Sequence, residues 1–167
     1  MRRTLVLMRH AKSSWSHQVA DHDRSLHERG RQAAPMMARR IDAAGLQPDL
    51  ILSSTARRAQ ETAELVKDSL PSTPTLELMK SLYLPSPEDV REAIACLPDE
   101  NWCIMVVAHN PGVTESVFEF TRQHEHMPTA AVAVIDFDAD SWSDLLVNAS
   151  GALRCVMRPK DDESVMP

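Results

Sequence analysis

Two stretches without a charged residue, "LVLM" at 5–8 and "WCIMVVA" at 102–108, constrain this chain most. Each is short, and neither shows the alternation of a strand with one wet face. A strand that is apolar on both faces must be covered on both, as inner strands of parallel sheets are. Further strands are expected at 49–54 ("DLILSS"), 75–79 ("TLELM"), 130–138 ("AAVAVIDFD") and 152–158 ("ALRCVMR"). Helical spacing separates them. It runs from Glu28 to Ala44, with Ser25 and Glu28 at capping-box spacing, Pro35 expected to kink it or start a new turn, and Gly45 as its stop. It resumes after Thr55 as a cap, and again after Ser86 as a cap with Pro87 at the first helical position. A last helix is expected from Val113 to His124. Strands alternating with helices over short connections predict an α/β protein of three layers, α/β/α, around a mostly parallel central sheet.

At 167 residues the chain suits one domain, expected over 1–158, followed by a polar tail at 159–167. A net charge of −6 argues against a nucleic-acid partner, which needs a basic face. No apolar run approaches a membrane span, and the run after Met1 is too short for a signal peptide, so a cytoplasmic protein is expected. Cys96, Cys103 and Cys155 are odd in number and lack metal-ligand spacing, which points to reduced thiols. Nothing in the sequence sets the oligomeric state.

In such sheets ligands bind outside the carboxyl ends of the strands. The first strand ends at Arg9-His10, the second runs into Arg57 and Arg58, and the strand at 102–108 ends at His109-Asn110. Distant segments therefore deliver arginines and histidines to one rim. Guanidinium forks match phosphoryl oxygens. A neutral imidazole is a competent nucleophile, and a second imidazole, if protonated, stabilises charge on a transferring phosphoryl group. This chemistry calls for no metal and no cofactor.

"RHA" after the first strand, "SSTARRAQETA" after the second and "AHNPG" after a later one resemble the motifs of the histidine phosphatase superfamily, with its phosphoglycerate mutase-like fold. "RHAKSSW", "DHDRSLHERG" and "VVAHNPG" are similar to those of its compact SixA-like branch of phosphohistidine phosphatases. Ala11 stands where the family has glycine. The resemblance implies that His10 is the nucleophile, that Arg9 and Arg58 hold the phosphate, and that His109 completes the catalytic set. Arg58 rather than Arg57 matches, because it directly precedes Ala59. Ser16 falls where longer members carry a phosphate-binding asparagine. Ser16, Asn110 and Arg24 are counted with Arg9 and Arg58 as substrate-binding residues.

Family phosphatases of alcohol esters carry an acid near the third strand that protonates the leaving oxygen. Here "LMKSLYLPSPED" offers Ser81 and Tyr83, while Glu88 and Asp89 read as first-turn charges of a helix. The missing acid favours phosphohistidine as substrate, with Asp23, Glu77 or Glu88 as the carboxylates to check. "DHDR" at 21–24 reads as a polar loop tied by aspartate hydrogen bonds, or as a segment closing over the site through His22 and Arg24. The expected function is a cofactor-independent phosphatase acting through a covalent phosphohistidine, on a phosphorylated protein. The alternatives are a broad phosphatase of small phosphate esters and a non-catalytic phosphate- or phosphohistidine-binding module.

Overall fold

The computed structural model describes residues 1–16 and 18–161. Six strands form one sheet: β1 (Arg2–Arg9), β2 (Leu50–Ser54), β3 (Thr75–Met79), β4 (Cys103–Ala108), β5 (Val132–Asp138) and β6 (Ala152–Met157). Their order is β3-β2-β4-β1-β5-β6. The pairs β1–β4, β2–β4 and β2–β3 are parallel, whereas β5 runs antiparallel to both β1 and β6. The sheet is thus mostly parallel, as expected, with one reversed strand that apolar composition does not distinguish.

Side chains alternate across the pleat. Leu5, Leu7, Leu52, Ile104 and Val106 face one core, with α3 (Pro87–Ala95) and α4 (Gly112–Thr121) packed over them through Val90, Ile94, Val117 and Phe120. Val6, Met8, Ile51, Met105 and Val107 face the other, under α1 (Glu28–Ala43) and α2 (Arg57–Ser69) with Met37, Ile41, Ala63 and Val66. Two helices per face give the three layers.

Local details depart from expectation in informative ways. Helix α1 runs unbroken over Pro35, since the buried face of Ala34, Met37, Ala38 and Ile41 holds the segment against the sheet. Its cap is His27, whose ring accepts from the Arg29 N–H, and not Ser25. Thr55 does not cap α2. The Ala56 N–H is taken by Ser54 Oγ, and Thr55 Oγ1 meets His22 instead. Ser86 does close a capping box, with Asp89. Helix α4 stops at Thr121 because Arg122 turns left-handed at φ 58°. The tail expected from 159 lies, beyond Asp161, outside the described residues.

Candidate active site

Register aligns the functional residues. Arg9 pairs with Ala108 and Met8 with Val107, while Ser53 pairs with Val107 from the other side. One step further on, His10 and His109 leave the sheet side by side, and the His10 N–H still donates to the Ala108 carbonyl. Their rings lie 5.0 Å apart. Helix α2 begins at Arg57, which puts Arg58 in its first turn above the same edge. Gly30 lets α1 meet the loop after β1. A Cβ there would stand 2.2 Å from the Lys12 carbonyl oxygen.

These segments enclose a cavity of about 460 Å³ lined by Arg9, His10, Lys12, Ser13, Trp15, Arg24, Arg58, Leu84, His109, Asn110 and Thr129. Four residues expected at a phosphate site, Arg9, His10, Arg58 and His109, therefore share one wall. His10 is 7% exposed and His109 1%.

Hydrogen bonds assign the tautomers. His10 Nδ1 lies 2.7 Å from the Ala11 carbonyl, which can only accept. The proton is on Nδ1, so Nε2 carries the lone pair, 3.4 Å from Arg58 Nε. His109 Nε2 lies 2.7 Å from Ser54 Oγ. That hydroxyl already accepts from Ala56, and among the described residues His109 is the one acceptor for its own proton. Ser54 therefore donates, and neutral His109 carries its proton on Nδ1. This Nδ1 is buried and has no protein partner. A phosphoryl oxygen is the kind of acceptor such an orphan donor calls for.

Burial, then the charges of Arg58, Arg9 and Arg24, pushes the His10 pKa down to about 4. Burial, then His10 and Arg58, pushes His109 down to about 3. Both imidazoles are neutral at pH 7. Neutral His10 keeps on Nε2 the lone pair that the expected nucleophilic role requires. His109, expected to stabilise charge if protonated, has its pKa held below the usual imidazole range, by burial first.

Arg58 is clamped. Its NH1 donates to the Asp21 carbonyl at 2.7 Å and its NH2 to Asp21 Oδ2 at 3.0 Å. Asp21 also accepts from Arg24 NH1 at 3.0 Å and from the Tyr83 hydroxyl at 2.5 Å. The Tyr83 bond, with Arg24 and Arg58, holds the Asp21 carboxyl far below the usual carboxylate range. The loop is tied by aspartate hydrogen bonds, as its sequence suggests, and the aspartate that ties it is Asp21. Two nearly buried arginines need a nearby anion, and that requirement was the available signal.

The other expected residues divide. Arg24 lines the cavity, stacked over Trp15 with its guanidinium carbon 3.2 Å from the ring centroid. Its donors are engaged by Asp21, the Ser14 carbonyl and the Ser13 hydroxyl. Asn110 lines the cavity too, but its amide bonds the Met127 carbonyl and its oxygen ties Thr114 at the start of α4. Ser16 does not reach the cavity; it is exposed and bonded to Ser14 Oγ. His22 meets Thr55, and Arg57 pairs with Glu61 outside. Arg9 NH1 is anchored on the Met127 carbonyl. None of the carboxylates considered as a leaving-group acid lines the cavity. Asp23 is near His22, Glu77 is exposed on edge strand β3, and Glu88 pairs with Arg91.

Comparison with known proteins agrees with this geometry. The model of the histidine phosphatase superfamily (branch 1) matches residues 5–82. An uncharacterized protein of Mycobacterium tuberculosis is 32% identical over 151 residues, covering 83% of this chain and 91% of its own length. The structure of a SixA protein from Nakamurella multipartitia, a candidate phosphohistidine phosphatase, superposes with a TM-score of 0.84 at 25% identity, covering 96% of this chain and 98% of that one. A second such SixA, from Agrobacterium tumefaciens, gives 0.77 at 26% identity over 94% and 99%. The chain belongs to the histidine phosphatase superfamily, in its SixA-like branch.

Proposed function

We propose that this protein is a phosphatase that passes the phosphoryl group through His10, and that its substrate is phosphohistidine in a protein. One observation carries the substrate class: Asp21, the carboxylate bonded to the cavity-lining Arg24 and Arg58, is held ionised by them and by Tyr83 and has no proton to give. An alkoxide leaving group needs a proton in the transition state, whereas the imidazole of a phosphohistidine accepts one before the P–N bond breaks.

In the first step the His10 Nε2 lone pair forms a bond to phosphorus while the substrate P–N bond breaks, and the protonated imidazole leaves neutral. The new phosphoryl group sits among Arg9, Arg58 and His109, whose donors face its oxygens. In the second step a water oxygen attacks phosphorus, the P–Nε2 bond breaks, inorganic phosphate leaves, and the water proton passes to solvent. His10 returns to its Nδ1–H form on the Ala11 carbonyl.

The test is parallel turnover of a histidine-phosphorylated peptide, para-nitrophenyl phosphate and an alkyl phosphate. Catalytic efficiency is expected to fall in that order. His10→Ala is expected to abolish both turnover and the acid-labile phosphate trapped on the protein. Alkyl esters turned over as fast as the peptide would refute the substrate assignment.

A further inference from the structure

A second concavity of about 440 Å³ lies beside the first and shares Lys12 and Thr129 with it. Its half-buried floor is Ala33, Pro128, Thr129 and Pro159, and its rim carries Lys12, Arg29 and Lys160, all exposed. Other cations nearby are already used. Arg31 is 3.7 Å from Glu61, Arg158 is 2.7 Å from Glu125, and Arg40 donates to the carbonyls of Arg158 and Asp161. Lys12, Arg29 and Lys160 have no carboxylate partner among the described residues. A chain of net charge −6 thus gathers in one groove three cations that have no carboxylate partner among the described residues, beside the cavity that holds Arg9, His10, Arg58 and His109. Across the pocket mouth the rim is apolar, with Trp15 79% exposed and Leu84 55%.

We infer that this groove docks an acidic surface of the protein that presents the phosphohistidine, an inference that rests on the function proposed above. A phosphoryl group alone needs only the pocket. A groove of cations leading away from it fits what lies beside the phosphorylated residue, and clustered positive charge selects carboxylates there. Trp15 and Leu84 supply the apolar contact that such polar rims surround in protein interfaces. The cations act mainly on encounter, so they set KM rather than the chemical step.

The experiment compares three substrates: a histidine-phosphorylated peptide with Asp/Glu flanks, the same peptide with Lys flanks, and free phosphohistidine. In the wild type the acidic peptide is expected to lead the basic one by about tenfold in kcat/KM. The lead should collapse near 1 M salt, where screening acts within about 3 Å. The double variant Arg29→Glu/Lys160→Glu, at exposed positions outside the phosphate pocket, is expected to erase or invert the preference through KM. Free phosphohistidine should stay within about twofold of wild type. Equal turnover of both peptides by the wild type overturns the docking assignment and leaves the proposed function standing. So does a variant that loses free phosphohistidine equally. A variant impaired only on a small ester with a second carboxylate, such as a phosphoglycerate, would make the groove a small-molecule subsite and also overturns it. Turnover of para-nitrophenyl phosphate with none of any phosphohistidine substrate would remove the functional reading and the docking surface together.

Discussion

Ser54→Ala tests the tautomer assignment at His109, on which the protonation of its buried, unpartnered Nδ1 depends. In the wild type the Ser54 hydroxyl donates to His109 Nε2 over 2.7 Å and leaves the proton on Nδ1. A buried bond of this kind is worth about 1–2 kcal/mol net, enough to favour one tautomer roughly 5- to 30-fold. Alanine removes that bias and leaves Nε2 buried without a partner. The alternative tautomer, with its proton on Nε2, leaves the buried Nδ1 with a lone pair and, on the function proposed above, without a proton to offer a phosphoryl oxygen. Deleting a transition-state donor outright costs about 10²–10³ in kcat. A donor that is misassigned for part of the time should cost less, about 10- to 10²-fold. His109→Ala sets the upper reference. The Ala56 N–H also loses its acceptor, so about 1 kcal/mol of stability goes with it. Activity alone therefore does not isolate the tautomer. The decisive assay is ¹⁵N–¹H correlation of the His109 ring, which distinguishes a protonated Nδ1 from a protonated Nε2. Wild type and Ser54→Thr should show Nδ1–H, and Ser54→Thr should keep most of the activity. A wild-type ring protonated on Nε2, or a Ser54→Ala enzyme as fast as wild type, refutes the reasoning.

The remaining expectations are briefer. Arg9→Ala and Arg58→Ala should each lower kcat/KM by about 2–4 kcal/mol equivalent, against little for Arg57→Ala; equal losses at 57 and 58 would place the phosphate on the wrong side of α2. Asp21→Asn removes the anion between Arg24 and Arg58 while keeping its shape, and should cost about tenfold in kcat/KM as Arg58 loosens; unchanged kinetics would make the clamp irrelevant to the site. The acid limb of kcat/KM, corrected for substrate ionisation, should fall well below pH 6.5, toward the His10 value of about 4, and an acid limb at 6.5 would contradict the burial argument. Between roughly pH 6.5 and the folded values of about 4 and 3, the unfolded chain binds protons that folded His10 and His109 refuse. Stability should therefore rise with pH across that window and be lost on acidification, as urea midpoints at several pH values will read, with a flatter dependence in His10→Gln. Gly30→Ala forces a Cβ onto the Lys12 carbonyl oxygen and should destabilise by about 1–3 kcal/mol in thermal unfolding.

What was legible in the sequence, and what was not, follows from the range of each interaction. The apolar runs of β1 and β4 and the residues at their ends are local facts, and the strand-end rule turned them into a rim bearing Arg9, His10, Arg58 and His109. The capping box at Ser86 and Asp89 is equally local, and the structure has it. Where two local signals competed, spacing was not enough. Ser25 and Glu28 have capping-box spacing, yet His27 caps α1, because the Lys12 carbonyl takes the His27 N–H and fixes where the chain turns. The direction of β5 is likewise silent in its composition, since a buried strand reads the same either way.

Asp21 marks the limit more sharply. Its partners Arg58 and Tyr83 lie 37 and 62 residues away, one on a helix and one just after the 3-10 turn at Lys80–Leu82. No period or cap encodes such a contact. It was nonetheless derivable from energetics: a pocket that buries Arg24 and Arg58 side by side is unstable without a counter-charge, so one carboxylate had to sit between them. The loop "DHDR" supplied the candidates, and the fold selects Asp21, because the 3-10 turn at Asp21–Asp23 brings its carbonyl and its carboxylate together onto one guanidinium. That selection has a chemical consequence. The anion that steadies Arg24 and Arg58 is itself held ionised by them and by Tyr83. On the function proposed above, an ionised Asp21 gives no proton to a departing alkoxide while it fixes Arg58 beside His10. The arrangement matches, on that proposal, a substrate whose leaving nitrogen brings its own proton.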